Sequence, residues 1–179
     1  MANSPLVSFT KLSPNHSGKR TCFISRITPH AVVGQLSVES ICNCFKDRNR
    51  QASCNYAIGA DGRIGLCVDE QNRSWCSSSR DNDQRAVTIE CASDLTELYA
   101  MKPEVYSALV DLCVDICRRN GKKRLVWIAD REKALTYTVK SDEMLLTVHR
   151  WLAKKSCPGN WLFERMGRLA DEVNGKLGV

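Results

Sequence analysis

Apolar and polar positions along the chain change period several times. Cys22 to Ile27 is rich in strand formers and ends at Thr28-Pro29-His30. Pro29 has no N–H to offer a neighbour, so the strand is expected to stop there or to lie at a sheet edge. Ser37, followed by Glu39 and Ser40, opens a helix with Val38, Ile41, Cys42 and Phe45 on one face. Asn55-Tyr56-Ala57-Ile58 and Arg63 to Val68 flank Ala60-Asp61-Gly62, and Asp-Gly between two apolar runs predicts a hairpin. Arg80 to Gln84 reads as a polar loop and Ala86 to Cys91 as a buried strand. Between Pro103 and Asn120, Val105, Leu109, Leu112, Cys113, Ile116 and Cys117 recur at helical spacing, with Gly121 placed to cap the helix. Leu125 to Ile128 is a short strand, Leu145 to Val148 a short extended segment leading into His149, and Trp161 to Leu177 a closing helix.

Strands and helices therefore alternate, which predicts an α/β fold: a single domain with a central mixed β-sheet flanked by helices. The Asp-Gly hairpin supplies at least one antiparallel pair. Ser4-Pro5, Ser13-Pro14 and the polar run His16 to Arg20 predict an N-terminal arm over residues 1–20, leaving 21–179 as the domain proper. With 179 residues the chain is long enough for a sizeable core.

Composition changes this picture little. Apolar residues make up 43% and charged residues 26%, the balance of an ordinary globular protein. No run approaches the roughly 18 to 20 apolar residues of a membrane span, so no membrane insertion is expected. Residues 1–10 lack a basic cluster followed by an apolar stretch, so the chain is expected to be made in the cytoplasm without a signal peptide. The ten cysteines include no CxxC pair, and most read as small buried hydrophobes of a reducing compartment. The formal charge of +6 suits an anionic partner. Nucleic acid is not favoured, because Lys122-Lys123-Arg124 and Lys154-Lys155 lack interleaved aromatic residues. Oligomeric state is not legible.

Candidate chemistry centres on two of the three histidines. His149 follows an apolar stretch, and Cys157 lies seven residues beyond it in the turn Lys155-Ser156-Cys157-Pro158-Gly159. Imidazole with thiolate is a donor set that zinc accepts, and a catalytic site needs three protein ligands plus an open position. His30 at a strand end is the natural third donor; His16, the other histidine, falls in the expected arm. Each residue also has a plain structural reading as a surface His, a turn Cys or a strand-end His. A further alternative makes Cys157 a nucleophile with His149 as its base.

Five elements occur in a telling order. They are a strand ending in His30, an Asn-Tyr-x-x-x-x-Asp-Gly hairpin, Trp75 in a short loop, a strand ending in Ile89-Glu90, and a final His-x7-Cys-Pro-Gly. In this order, over Cys22 to Trp161, the chain resembles the type 2 N-acetylmuramoyl-L-alanine amidases. That family includes phage endolysin catalytic domains, wall-recycling amidases and peptidoglycan recognition proteins. The resemblance implies a zinc amidase domain acting on bacterial peptidoglycan, with His30, His149 and Cys157 as zinc ligands. It further implies Glu90 as general base and Lys155 as oxyanion stabiliser, with Trp75 and Tyr56 in the substrate groove. A phage or prophage endolysin, acting on the wall after release at host lysis, is the role expected from it. A recycling amidase, or a binding module that has lost catalysis, is the alternative. Three positions depart from the family pattern. Cys54 stands where many members carry a tyrosine, which directs attention to Tyr56 two residues on. Pro29 precedes the first ligand, and Cys76 stands where a histidine is frequent.

Overall fold

The computed structural model describes residues 2–179. In chain order its first half contains β1 (Val7–Thr10), β2 (His16–Lys19), β3 (Arg26–Ala31), α1 (Val38–Cys44), a 3₁₀ turn (Arg48–Arg50), β4 (Tyr56–Ile58), β5 (Ile64–Leu66) and β6 (Asn72–Ser74). There follow α2 (Arg80–Arg85), β7 (Ala86–Cys91), α3 (Pro103–Arg119), β8 (Arg124–Val126), α4 (Arg131–Thr136), β9 (Glu143–Leu146), α5 (His149–Leu152), α6 (Asn160–Phe163) and α7 (Met166–Leu177). Seven strands form one sheet in the order β1-β5-β4-β7-β3-β9-β8, and β2 and β6 form a separate ribbon. The expected single α/β domain with a mixed, helix-flanked sheet is what the chain forms.

The five strands from β4 to β8 in that order run parallel. Strands covered on both faces read as apolar runs, which explains Val87, Ile89, Met144, Leu145 and Leu146, all fully buried. The one antiparallel pair in this sheet is the expected hairpin, Tyr56–Ile58 against Ile64–Leu66. Its turn places Gly62 at φ +82°, a conformation that glycine adopts without strain. Helix α3 buries the predicted stripe of Val105, Leu109, Leu112, Cys113, Ile116 and Cys117. Ser37 caps α1 by accepting from the Ser40 backbone N–H. Among the described residues no helix is long and apolar enough to cross a membrane.

Three elements differ from expectation. Strand β3 passes through Pro29 and lies in the middle of the sheet. The Val32 N–H donates to Cys91 of β7, so by alternation the nitrogen of Pro29 faces the opposite side, towards β9. The Thr147 N–H donates to the Ile27 carbonyl, and pairing with β9 covers only Arg26 and Ile27, so the ladder to β9 ends where Pro29 has no N–H to continue it. Arg80–Arg85 is a helix, capped by Ser79 accepting from the Asn82 N–H, and it buries Asn82, Asp83 and Gln84 by hydrogen bonding. The closing helix is broken in two between Phe163 and Met166.

Residues of the expected arm are woven into the domain. Strand β1 lies parallel to β5, and β2 pairs with β6. Ser4 N–H donates to the Tyr56 hydroxyl (2.9 Å), which donates to Glu70 (2.7 Å). The Glu70 carboxylate is fully buried and also accepts two bonds from Arg119 (3.0 and 2.7 Å) and one from Asn120 (3.1 Å). Removing one partner of such a buried pair strands the other. We expect Glu70→Ala to lose about 3–5 kcal/mol of stability in urea denaturation. A loss below about 1 kcal/mol would show that this network is not what holds the N-terminal segment.

Candidate metal centre and cleft

His30 is the penultimate residue of β3 and Glu90 the penultimate residue of β7, and the parallel register pairs them directly. Side chains at paired positions share one face of a sheet. His149 opens α5, three residues after β9 ends. All three thus stand at the carboxyl ends of adjacent parallel strands, where open α/β sheets form their clefts. Cys157 returns to this point because the Arg150 N–H donates to the Cys157 carbonyl (2.9 Å), closing the intervening loop.

His30, His149 and Cys157 bring one donor atom each to within 4.8 Å of one another. The Cys157 sulfur lies 3.3 Å from His30 Nδ1. A tetrahedral ion with bonds of about 2.0 Å to nitrogen and about 2.3 Å to sulfur would hold these atoms about 3.5 Å apart. The imidazoles meet edge to face at 5.0 Å. His30 is 1% exposed and its Nε2 has no hydrogen-bond partner, and Glu90 Oε2 is likewise buried and unpartnered. His149 Nε2 meets the Ser78 hydroxyl at 3.2 Å. The donor set and its spacing fit a metal ion.

Electrostatics follow from burial. Burial, then the neighbouring His149, pushes the His30 imidazole down to about 3. His149 is lowered by burial and then by Lys155. Burial raises Glu90 to about 7, although the Cys76 thiol and Arg50 work against it. Burial, followed by the charge of Glu90, pushes the Cys157 thiol up.

A cleft of about 730 Å³ opens over these groups. Trp75 and Lys155 line it, and so do Arg50, Arg73 and Arg80. The Trp75 indole N–H donates to Ser17 of β2 (2.7 Å), so the N-terminal segment braces the cleft wall. Val33, Gln51 and Ser78 all have positive φ, between +49° and +58°, and all line the cleft. Backbone strain of this kind gathers at ligand sites. Tyr56, in contrast, does not reach the cleft. It is fully buried and its hydroxyl is taken by Glu70 and Ser4, so the expected groove role is withdrawn. His16 accepts from the Gly18 N–H and stays in the β2 ribbon.

Beneath the site is a polar layer that the reading of the sequence did not anticipate. Thr28 and Thr147 meet hydroxyl to hydroxyl at 2.7 Å, and Asn82 donates to Thr28 (3.0 Å) and accepts from Thr147 (3.1 Å). Thr88 meets Ser74 at 2.8 Å. Each threonine stands two residues before a site residue, in Thr28-Pro29-His30, Thr88-Ile89-Glu90 and Thr147-Val148-His149. That repeated spacing was the available signal. Asp83, from α2, accepts from the backbone N–H groups of Cys76 (3.1 Å) and Ser77 (3.1 Å) and from the Ser77 hydroxyl (2.6 Å), holding the loop that carries Cys76 and Ser78.

The fold and site are those of an α/β domain with a cleft at the carboxyl edge of its sheet and a metal-ready donor triad within it. The profile of the N-acetylmuramoyl-L-alanine amidase family matches residues 20–160, and the chain belongs to that family, which makes it an amidase. No curated sequence matches it. Among solved structures, PlyL aligns at 16% identity over 92% of this chain and 95% of its own, with a TM-score of 0.64. The endolysin amidase LysCS from Clostridium intestinale aligns at 19% identity over 100% and 99%, with a TM-score of 0.57. The Staphylococcus aureus hydrolase AmiA, solved with its ligand, aligns at 14% over 98% and 84%, with a TM-score of 0.67.

The two buried groups oppose each other in pH dependence. Below pH 6.5 the unfolded chain takes up a proton that folded His30 refuses, so this histidine costs stability as pH falls from 6.5 towards 3. Between 4.5 and about 7 folded Glu90 holds a proton that the unfolded chain releases, so the glutamate costs stability as pH rises. In metal-free Glu90→Gln the opposing glutamate slope is gone, and the His30 slope remains, reinforced by His149, which burial also lowers. We expect urea denaturation to show a loss of about 2 kcal/mol between pH 6.5 and 5, and stability independent of pH in that variant would contradict it.

Proposed function

We propose that this protein hydrolyses the amide bond between N-acetylmuramic acid and L-alanine in bacterial peptidoglycan, using zinc held by His30, His149 and Cys157. The observation that carries the reading is the convergence of two imidazoles and a thiol beside the buried carboxylate of Glu90, in a member of an amidase family. Nitrogen and sulfur donors in this number suit a catalytic zinc, which keeps a further position open. When bound, the ion supplies Lewis-acid polarisation and lowers the pKa of water.

The chain's own groups supply the rest. Glu90 sits near neutrality, so it can take the proton of an attacking water and return it to the departing amine. Lys155 is exposed at the cleft and brings a positive charge to the oxygen that becomes anionic during attack. The braced indole of Trp75 forms a wall against which substrate lies. The four cations Arg50, Arg73, Arg80 and Lys155 around the opening favour an anionic polymer or peptide.

A thiol nucleophile is less well supported. Such a cysteine needs a depressed pKa, and burial moves Cys157 the other way. Its near neighbour is His30, while His149 Nε2 faces Ser78. A binding module without catalysis is disfavoured by the complete donor set. The endolysins among the structural relatives support action on the wall after release at lysis.

Three measurements test this. Purified protein should carry one zinc, and Cys157→Ser should lose both the metal and the release of stem peptides from peptidoglycan. Full zinc and full activity in that variant would sink the ligand assignment. Glu90→Gln should remain folded and metal-loaded with turnover down by about a hundredfold or more. Chelation should abolish activity, and re-addition of zinc should restore it; a thiol enzyme would be indifferent to both.

A further inference from the structure

Beside the first donor set lies a second. His30, Cys76 and Glu90 also bring one donor atom each to within 4.8 Å of one another. The Cys76 sulfur is 3.7 Å from Glu90 Oε1, close to the roughly 3.5 Å that a tetrahedral ion sets between a sulfur and an oxygen ligand. Two buried atoms of this trio, His30 Nε2 and Glu90 Oε2, have no hydrogen-bond partner. Buried polar atoms are seldom left so, because each costs its full desolvation. The Cys76 backbone is held in place by Asp83, so the thiol is not on a free loop.

From this geometry we infer that Cys76 and Glu90, next to His30, form a second and weaker site for a thiophilic divalent cation, whose occupancy inhibits the enzyme. Binding displaces the protons of the Cys76 thiol and the Glu90 carboxyl to solvent, and no electron is transferred. A soft sulfur beside a carboxylate selects zinc or cadmium over magnesium or calcium. The inhibition rests on the role proposed for Glu90: a carboxylate engaged by a cation cannot accept a proton from water. The site's own existence does not depend on that role. Because the two donor sets meet at His30, the second ion is held by fewer independent donors than the first and binds more weakly.

The test is a titration of metal-free protein with zinc chloride, followed by calorimetry. A tight first equivalent and a weaker second are expected, and Cys76→Ser should keep the first and lose the second. Iodoacetamide with peptide mapping gives an independent readout in the wild-type chain. Cys76 should be alkylated at one equivalent of zinc and protected at excess. In the amidase assay, excess zinc should inhibit the wild type and leave Cys76→Ser at its own uninhibited rate. A single binding step, or Cys76 alkylated equally at both zinc levels, overturns the inference. If Cys76→Ser fails to fold, protection in the wild type decides. Absence of even the first equivalent would instead defeat the zinc amidase reading.

Discussion

The parallel register of β3 against β7 is the constraint from which the rest follows. It sets His30 opposite Glu90 on one face, so a metal donor and a candidate base become neighbours without any loop having to place them. A slip of β7 by one residue would turn Glu90 to the face opposite His30. The register is held by six paired positions and by the apolar residues that alternate with the site residues, Ile27, Val87 and Ile89 among them. Catalytic geometry is thus specified by core packing, and the cleft inherits the rigidity of the sheet.

Placing polar groups at the end of a buried sheet has a cost, which the threonine layer offsets. Thr28, Thr147 and Asn82 satisfy one another, and Thr88 is satisfied by Ser74 and Asn55. A fully satisfied network of this kind is stiff, since moving one member leaves another without a partner in a medium where that is expensive. Above it, satisfaction stops: His30 Nε2 and Glu90 Oε2 lack partners. Along these strands the change from satisfied threonines to unpartnered donor atoms coincides with the start of the cleft.

Most of this architecture was legible because its signals are local. The Asp-Gly turn, the apolar stripe of α3 and the His149 to Cys157 spacing depend on residues close in sequence. What was not legible depends on distant partners. Residues 7–10 carry the strand formers Val7, Phe9 and Thr10, but the flanking Ser4-Pro5 and Ser13-Pro14 read as a loop, and the pairing with β5 lies far along the chain. The polar run Arg80–Arg85 is helical because Thr28, Cys76 and Ser77, far along the chain or outside the helix, take up the polar groups of Asn82 and Asp83. Tyr56 looked free for the cleft because nothing near it in sequence announces that Glu70 and Ser4 will claim its hydroxyl. Pro29 looked like a strand breaker because its tolerance rests on where β9 stops pairing.

The spacing of threonine and site residue at the ends of three strands has an implication for how this protein can change over evolutionary time. The metal donors His30 and His149 and the carboxylate Glu90 are anchored to the sheet, whereas the cations and the strained residues Val33, Gln51 and Ser78 sit on the connections beyond it. Lengthening or recomposing those connections alters what the rim grips while the reacting centre stays where it is. A one-residue insertion between Thr28 and His30 or between Thr88 and Glu90, by contrast, would flip the site residue to the far face of its strand and disarm the centre at once. Diversification of the target and preservation of the chemistry are therefore assigned to different parts of the chain.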